Sequence, residues 1–229
     1  MNTLKLYLTS SIGKKVTMAA TGLFLIVFLL EHLYGNLLLY FDLFIKNEHG
    51  EAFIEYSHSA VRNILIRLIE IFLFAAIIIH VIQALIITMD NRKARPIKYA
   101  APSTSGGSNW INRNMGITGS IILFFIVVHL YNFFLPYRIT SMPNGMNLAQ
   151  LVKAGFQNPY YVALYVISVT FLSFHLSHGF RSAFHTLGLN NKKYTPVWKM
   201  AANGFAVFIW LGFAPFPILF YFGIAGTSF

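Results

Sequence analysis

Four histidines are the residues of this sequence best suited to chemistry, because each interrupts a long apolar stretch. An ionisable side chain is costly inside hydrocarbon and usually serves a function there. Imidazole can bind a metal or relay a proton, and one membrane histidine taken alone is compatible with either role. The four lie at matching intervals: His129 follows His32 by 97 residues, and His175 follows His80 by 95.

The stretches that carry these histidines predict transmembrane helices. Hydrophobic residues make up 56% of the 229 residues and charged residues only 10%, whereas a soluble domain has about 25% charged residues. Apolar runs of about 20 residues are long enough to cross a bilayer as helices. The sequence therefore predicts an all-α membrane bundle, a single domain over residues 1–229. Its five spans are expected at about 16–41, 62–89, 115–137, 160–185 and 200–224.

The distribution of basic residues predicts how the bundle lies in the membrane. Most lysines and arginines fall in the N-terminal segment and in the connections after the second and fourth spans. Lysine and arginine concentrate in cytoplasmic loops, so we expect the N-terminus inside and the C-terminus outside. The net charge of +10 is then a property of these loops and does not indicate nucleic-acid binding. The absence of cysteine excludes a thiolate-held iron–sulfur cluster, a c-type haem and a catalytic thiol in this chain.

An internal repeat relates the two halves of the chain. Thr21-Gly22 precedes His32 as Thr118-Gly119 precedes His129, and the segments TGLFLIVFLLEHLY and TGSIILFFIVVHLY align without a gap. The stretches around the other two histidines match more weakly. Spans one and two therefore form one hairpin and spans three and four its copy. Because each hairpin has two spans, the copies share an orientation, and their axis should run along the membrane normal.

The histidines fall into two layers of two. At about 1.5 Å per residue from the cytoplasmic ends of their spans, His32 and His129 lie roughly 20–25 Å deep and His80 and His175 roughly 14–15 Å deep. Two histidines at one depth on facing helices can bind one haem iron, with an imidazole on each face. Both axial positions are then filled, which suits electron transfer better than oxygen binding. The sequence thus predicts two haems b.

Small side chains accompany the histidines. Thr21 and Thr118 lie eleven residues before the histidines of spans one and three, about 20° from the same helical face. Ala84 and Gly179 lie one turn after the histidines of spans two and four. At these positions a flat porphyrin could lie against the helix. The alternative is ordinary packing between membrane helices.

As a set, these segments resemble the single-chain, five-helix, di-haem cytochrome b subunit of bacterial succinate dehydrogenases and fumarate reductases. The resemblance covers nearly the whole chain and is carried by TGLFLIVFLLEH, LIEIFLFAAIIIH, TGSIILFFIVVHLY and FHLSHGFRSAFHTLG. It implies a proximal haem between spans two and four and a distal haem between spans one and three, in agreement with the depths. In span four the family's His-x3-Gly pattern selects His175 with Gly179 over the additional His178 and His185.

The resemblance also implies a function and partners. The chain would be the membrane anchor and quinone-reactive electron-transfer subunit of a succinate:quinone oxidoreductase in a bacterial cytoplasmic membrane, with menaquinone as the expected quinone. A flavoprotein with covalent FAD and an iron–sulfur protein with three clusters would dock on its cytoplasmic face, and the complex could form a higher oligomer. The dicarboxylate site would belong to these partners and not to this chain.

Haem propionates need polar partners near the cytoplasmic side. The resemblance leads us to expect a polar pair early in span one, but Met18-Ala19 stand there. Arg113 and Arg181 are the candidates instead, since guanidinium pairs bidentately with carboxylate. The alternative is that both are ordinary positive-inside charges.

Two glutamates are candidates for the protons of a quinone reaction. Glu70 lies eight residues into the second predicted span, about 12 Å from its outer end, at the level of the distal haem. It could accept protons from a quinol or supply them in reverse; the alternative is a structural pair with Arg67 or Arg62. Glu31 precedes His32 and so points about 100° away from it, toward a quinone, a proton path or a neighbouring span.

Two other functions compete with this prediction. A di-haem anchor of another dehydrogenase or of a hydrogenase would carry the same histidines and differ in its soluble partners. A metal transporter would place carboxylate or thiolate ligands at the level of the histidines. The inner layer has neither.

Overall fold

A computed structural model of the chain describes residues 10–42, 50–93, 114–189, 191 and 193–224. Within this part of the chain the regular elements are helices, and no strand occurs. Five helical segments here are long and apolar enough to cross a membrane, which confirms the predicted all-α, five-span bundle.

The five spans comprise seven helices. They are α1 (Ser11–Phe41), α3 (Ile64–Lys93), α4 and α5 (Met115–His129 and Leu135–Arg138), α7 (Pro159–Thr186), and α8 and α9 (Thr195–Phe213 and Pro215–Tyr221). Two shorter α-helices lie in the connections that follow spans one and three, the second of them after a 3₁₀ turn at Pro143–Gly145. They are α2 (Glu51–Arg62) and α6 (Leu148–Gly155).

Spans one and two extend beyond their apolar runs at the ends that carry Lys14 and Asp90. The α1 helix begins at Ser11 because the Ser10 hydroxyl accepts a hydrogen bond from the Gly13 N–H at 3.0 Å and caps the first turn. An ion pair of 2.8 Å between Lys14 and Asp90 joins the inner ends of α1 and α3. Apolar runs mark the hydrocarbon crossing and not the polar helix ends beyond it.

The helices α2 and α6 were not predicted from the sequence, since both are too short and too polar to be spans. Asn147 caps α6 through a reciprocal pair of hydrogen bonds with Gln150. Phe53 of α2 and Ala149 of α6 are buried in a core cluster with residues of spans one, four and five. This cluster closes the outer end of the bundle.

Two spans have irregular backbones. Span three makes a π-helical turn over Leu130–Phe134, directly after His129. Span five bends at Ala214, before Pro215, because proline has no N–H to continue the hydrogen-bond ladder. A π turn within an α-helix is rare and often lies at a functional site.

Span four is at the centre of the bundle. It packs against spans one, three and five, while span one also packs against span two. Leu33, Leu176 and Ile209 are buried together where spans one, four and five meet. Gly212 permits this contact, because a Cβ at that position would lie 2.7 Å from a methyl carbon of Leu33.

Candidate metal centres

The structure brings the four histidines together as the predicted pairs. The ring centroids of His80 and His175 are 6.4 Å apart, and those of His32 and His129 are 5.6 Å apart. Each pair joins equivalent positions of the two hairpins. The two pairs therefore lie on the axis that relates the duplicated halves.

The ring separations suit one metal ion between two imidazoles. A metal–imidazole nitrogen bond is about 2 Å long, and the ring centre lies roughly 1 Å further, so two axial imidazoles have centroids about 6 Å apart. No group of three or more histidine, cysteine or acidic side chains within the described residues could hold a metal ion. Each pair thus offers two imidazoles, which is the number of protein ligands that a six-coordinate haem iron takes.

A threonine hydroxyl lies against each imidazole of the inner pair. Thr21 Oγ1 is 3.1 Å from His80 Nδ1, and Thr118 Oγ1 is 3.3 Å from His175 Nδ1. We expected these threonines only as small residues beside a porphyrin. The structure adds a direct contact with the imidazoles themselves, made within each hairpin.

The threonine contacts favour one tautomer of the inner imidazoles. Thr21 Oγ1 donates to the Thr17 carbonyl at 2.9 Å, and Thr118 Oγ1 donates to the Met115 carbonyl at 3.0 Å. A hydroxyl has one hydrogen, so each threonine oxygen is left to accept the Nδ1–H of its histidine. Nε2 is then the unprotonated nitrogen and is available to a metal, as in other histidine sites with an outer hydrogen-bond partner.

The glycine after each threonine makes room for the ring. A Cβ at Gly22 would lie 3.4 Å from His80 Cε1, and one at Gly119 would lie 3.8 Å from His175 Cε1. Gly179 has open space where its Cβ would be, and Ala84 is half-buried. The role of Gly179 and Ala84 in packing a porphyrin stays a prediction.

The outer pair has different surroundings. The Tyr165 hydroxyl of span four lies 3.3 Å from His129 Nδ1, and Tyr165 is buried. The His32 ring stacks on Phe28 and Phe213, with centroid distances of 5.5 and 5.7 Å. No hydrogen bond to a His32 ring nitrogen occurs in the part of the chain that the structure describes. Tyr165 was missed by sequence reasoning, and its only signal was a tyrosine inside an apolar span.

Two buried polar atoms on the helices that carry His80 and His175 have no hydrogen-bond partner among the described residues: Gln83 Oε1 and Ser168 Oγ. Gln83 is one turn after His80, and Ser168 is seven residues before His175, on the same face of its helix. Buried polar groups without a partner are uncommon in folded proteins. Both positions fit a bound group that carries polar atoms of its own.

The two candidate acids have different partners. Glu70 forms an ion pair with Arg138 at the outer end of span three, and both side chains are largely buried. The alternative pairing with Arg67 or Arg62 is therefore not the one found. Glu31 is exposed and accepts a hydrogen bond from the Tyr56 hydroxyl of α2.

The predicted propionate contacts are not resolved by the structure. Arg113 lies outside the described residues, and Arg181 is half-buried six residues after His175. His178 is half-buried and His185 is exposed. The role of both arginines stays a prediction.

No protein-family model, no curated protein and no solved structure matches this chain in the comparisons made. The chain's own residues define its class: a multi-pass, all-α membrane protein with two facing histidine pairs inside its bundle.

Proposed function

We propose that this protein is a di-haem cytochrome b that carries electrons between membrane quinone and a soluble partner. The observation that carries the proposal is the pair of imidazoles in each of two layers. The ring separation in each pair suits one metal ion between the two imidazoles. Bound there, haem supplies one-electron chemistry. The protein supplies the ligands, their orientation and an apolar setting that tunes the potential.

The chain's own residues would supply the ligands of both haems. The imidazoles of spans two and four would hold the inner haem, and those of spans one and three the outer one. Thr21 and Thr118 lie at Nδ1 of the inner imidazoles and favour the tautomer in which Nε2 is free to bind a metal. A haem iron held by two histidines would carry electrons and would have no coordination site open to oxygen or a small substrate. Two ligand layers at different depths suit electron transfer across the bilayer.

The identity of the partners in this proposal rests on the family resemblance. We propose that the chain is the anchor of a succinate dehydrogenase or fumarate reductase, with a covalent-FAD flavoprotein and an iron–sulfur protein on the cytoplasmic face and menaquinone in the membrane. The location would be a bacterial cytoplasmic membrane with the N-terminus inside. The alternative anchor of another quinone-linked dehydrogenase or hydrogenase has the same haem centres and other soluble partners.

A spectrum of the purified complex tests the proposal. We expect a b-type α-band in the reduced-minus-oxidised difference spectrum, two haems per polypeptide and reduction of both by a quinol. Absence of the α-band would contradict the cytochrome function and favour a transporter. Mass spectrometry of the co-purifying subunits tests the partners. If the co-purifying subunits are those of a hydrogenase or formate dehydrogenase, the assignment to succinate oxidation or fumarate reduction is wrong. The cytochrome function would be unaffected by that result.

A further inference from the structure

We propose that an open groove on span five binds an anionic phospholipid of the membrane, with the lipid phosphate at Lys199 and an acyl chain over Gly204. The groove has a volume of about 610 Å³ and lies along α8, the first helix of span five. Its lining residues are Pro196, Lys199, Met200, Asn203, Gly204 and Val207. This inference goes beyond the proposed function and does not depend on haem binding.

The lining residues form one stripe along α8. They follow one another at helical spacing, so they share one face of the helix. Met200 is 73% exposed and Val207 is 55% exposed, so the other spans do not cover this face. Span five is long and apolar enough to cross a membrane. We therefore expect the groove to face lipid.

Three kinds of group follow one another along the groove. Lys199, the fifth residue of α8, supplies a positive charge near the beginning of the helix. Asn203 supplies an amide about 6 Å further along, and Gly204 and Val207 continue with an apolar surface. A phospholipid presents its phosphate, its ester carbonyl groups and its acyl chains in that order from the membrane surface toward the bilayer centre. The groove is therefore complementary to an anionic phospholipid.

Lys199 is a cation that lacks a counter-charge within the described part of the chain. It is exposed and forms no ion pair there, whereas Lys14 of span one is paired with Asp90. The first turn of α8 contains no acidic residue, and the helix dipole adds positive potential at this end. A basic side chain near the membrane surface attracts anionic headgroups, and the long lysine stem can reach their level. Lys199 therefore favours a negatively charged lipid.

Asn203 offers hydrogen-bond donors on the same face. Its side-chain oxygen accepts a hydrogen bond of 2.6 Å from the Ser177 hydroxyl of span four, and no described residue accepts from its amide nitrogen. Asn203 is exposed, and lipid tails cannot accept hydrogen bonds, so the amide needs an acceptor from another source. An ester carbonyl of a phospholipid is such an acceptor.

Gly204 leaves room for an acyl chain. No atom lies within 4 Å of the position that a Cβ would take there. Gly212 on the same helix differs, because its missing side chain makes room for Leu33. Glycine is unfavourable in a helix interior, and no contact between the described residues requires it at position 204. A lipid chain that lies on the helix surface accounts for it.

The test measures lipid binding to the full chain, purified in detergent with any subunits that accompany it. Native mass spectrometry with dioleoyl phosphatidylglycerol as the titrant gives the affinity of each variant. Lys199→Gln should weaken binding about fivefold, because one charge contact is lost. Lys15→Gln is the matched control and should leave binding unchanged, since Lys15 is the exposed fifth residue of α1 and lies outside the groove. An equal loss in both variants would indicate a general attraction to basic residues and would overturn the inference.

Two further variants test the amide and the open surface. Asn203→Leu should weaken binding about fivefold, whereas Ser177→Ala, which removes only the hydroxyl bonded to the amide oxygen, should not. Gly204→Leu should abolish binding by filling the groove, and it should leave the bundle intact because that position is open. Gel filtration and circular dichroism check the fold. Unchanged lipid binding in a correctly folded Gly204→Leu variant would contradict the proposal.

A photoreactive lipid locates the site. Phosphatidylglycerol with a diazirine in one acyl chain should label a peptide within residues 195–213, and unlabelled phosphatidylglycerol should compete better than phosphatidylcholine with the same chains. Equal competition by the two lipids would contradict selection for an anionic headgroup. Stronger competition by a short-chain quinone would make the groove a quinone site, and disulfide crosslinking of two Met200→Cys chains would make it an interface between copies. Either result would overturn the inference and leave the proposed function untouched.

Discussion

The inner and outer histidine pairs occupy equivalent places in the duplicated bundle but are built differently. Each imidazole of the inner pair has the same two neighbours, a threonine hydroxyl at Nδ1 and a glycine at Cε1. In the outer pair, His129 faces Tyr165 while His32 is stacked between two phenylalanines. The inner site thus retains the symmetry of the duplication, and the outer site has lost it.

This difference fits two different tasks. A centre that only relays electrons benefits from fixed, identical ligands and needs no access for substrate. If quinone reacts at the outer pair, as the proposed function implies, asymmetry there would suit a substrate that approaches from one side. The outer pair lies near the π turn of span three and near α2, and no π turn adjoins the inner pair in the part of the chain that the structure describes.

Replacing a histidine gives the largest expected effect and tests the pairing itself. Alanine at His80 or His175 should remove the inner haem alone, and alanine at His32 or His129 the outer haem alone, since each haem loses one of two axial ligands. Haem content per polypeptide and a potentiometric titration measure the result. Loss of the same haem in His32→Ala and His80→Ala would break the two-layer arrangement.

Removing the threonine hydroxyls should give an intermediate effect, confined to the inner haem. Thr21→Val and Thr118→Val keep the shape but delete the acceptor for Nδ1–H, which makes the imidazole a weaker donor to the iron. The inner potential should rise by on the order of 40 mV, the equivalent of about 1 kcal/mol for one electron. Ser120→Ala is the control, because Ser120 is exposed and bonds only the Gly116 carbonyl. A shift of the outer potential instead would show that the assignment of these threonines to the inner layer is wrong.

Tyr165→Phe should give a smaller effect and only on the outer haem. Its hydroxyl contacts one of the two outer ligands, so one contact is lost where the inner layer has two. We expect both haems to be retained and the outer potential to move less than the inner potential moves in a Thr21→Val, Thr118→Val double variant. Redox titration of both haems decides this. A larger outer shift would mean that Tyr165 also organises the phenylalanines around His129.

Adding a methyl group beside an inner imidazole should have the smallest effect. A Cβ at Gly119 would reach ordinary contact distance from His175, and alanine is favourable in a helix. Gly119→Ala should therefore retain both haems at unchanged potentials. Loss of the inner haem would show that the glycine, and not the threonine hydroxyl, is the stricter requirement of the inner layer.

The sequence predicted those features that depend on one helix or on the repeat. Five apolar runs gave the spans, and the intervals between histidines gave pairs that the structure brings together. Contacts between side chains of different helices were harder to predict from the sequence. The Arg138 partner of Glu70 comes from another span, and the Tyr56 partner of Glu31 comes from a helix too polar to be read as part of the bundle. Tyr165 was missed because no repeat or spacing marks it.

The threonine–histidine contacts are each made inside one hairpin, and this has a consequence for biosynthesis. Thr21 and His80 belong to spans one and two, so their bond can form once those two spans are in the bilayer, before the later spans are synthesised. Thr118 and His175 repeat this in the second hairpin. Each half then arrives with its inner imidazole already oriented. Under the proposed function, haem binding would then join two halves that have already formed, and a single hairpin engineered to associate with its own copy should be sufficient to hold a haem at the junction.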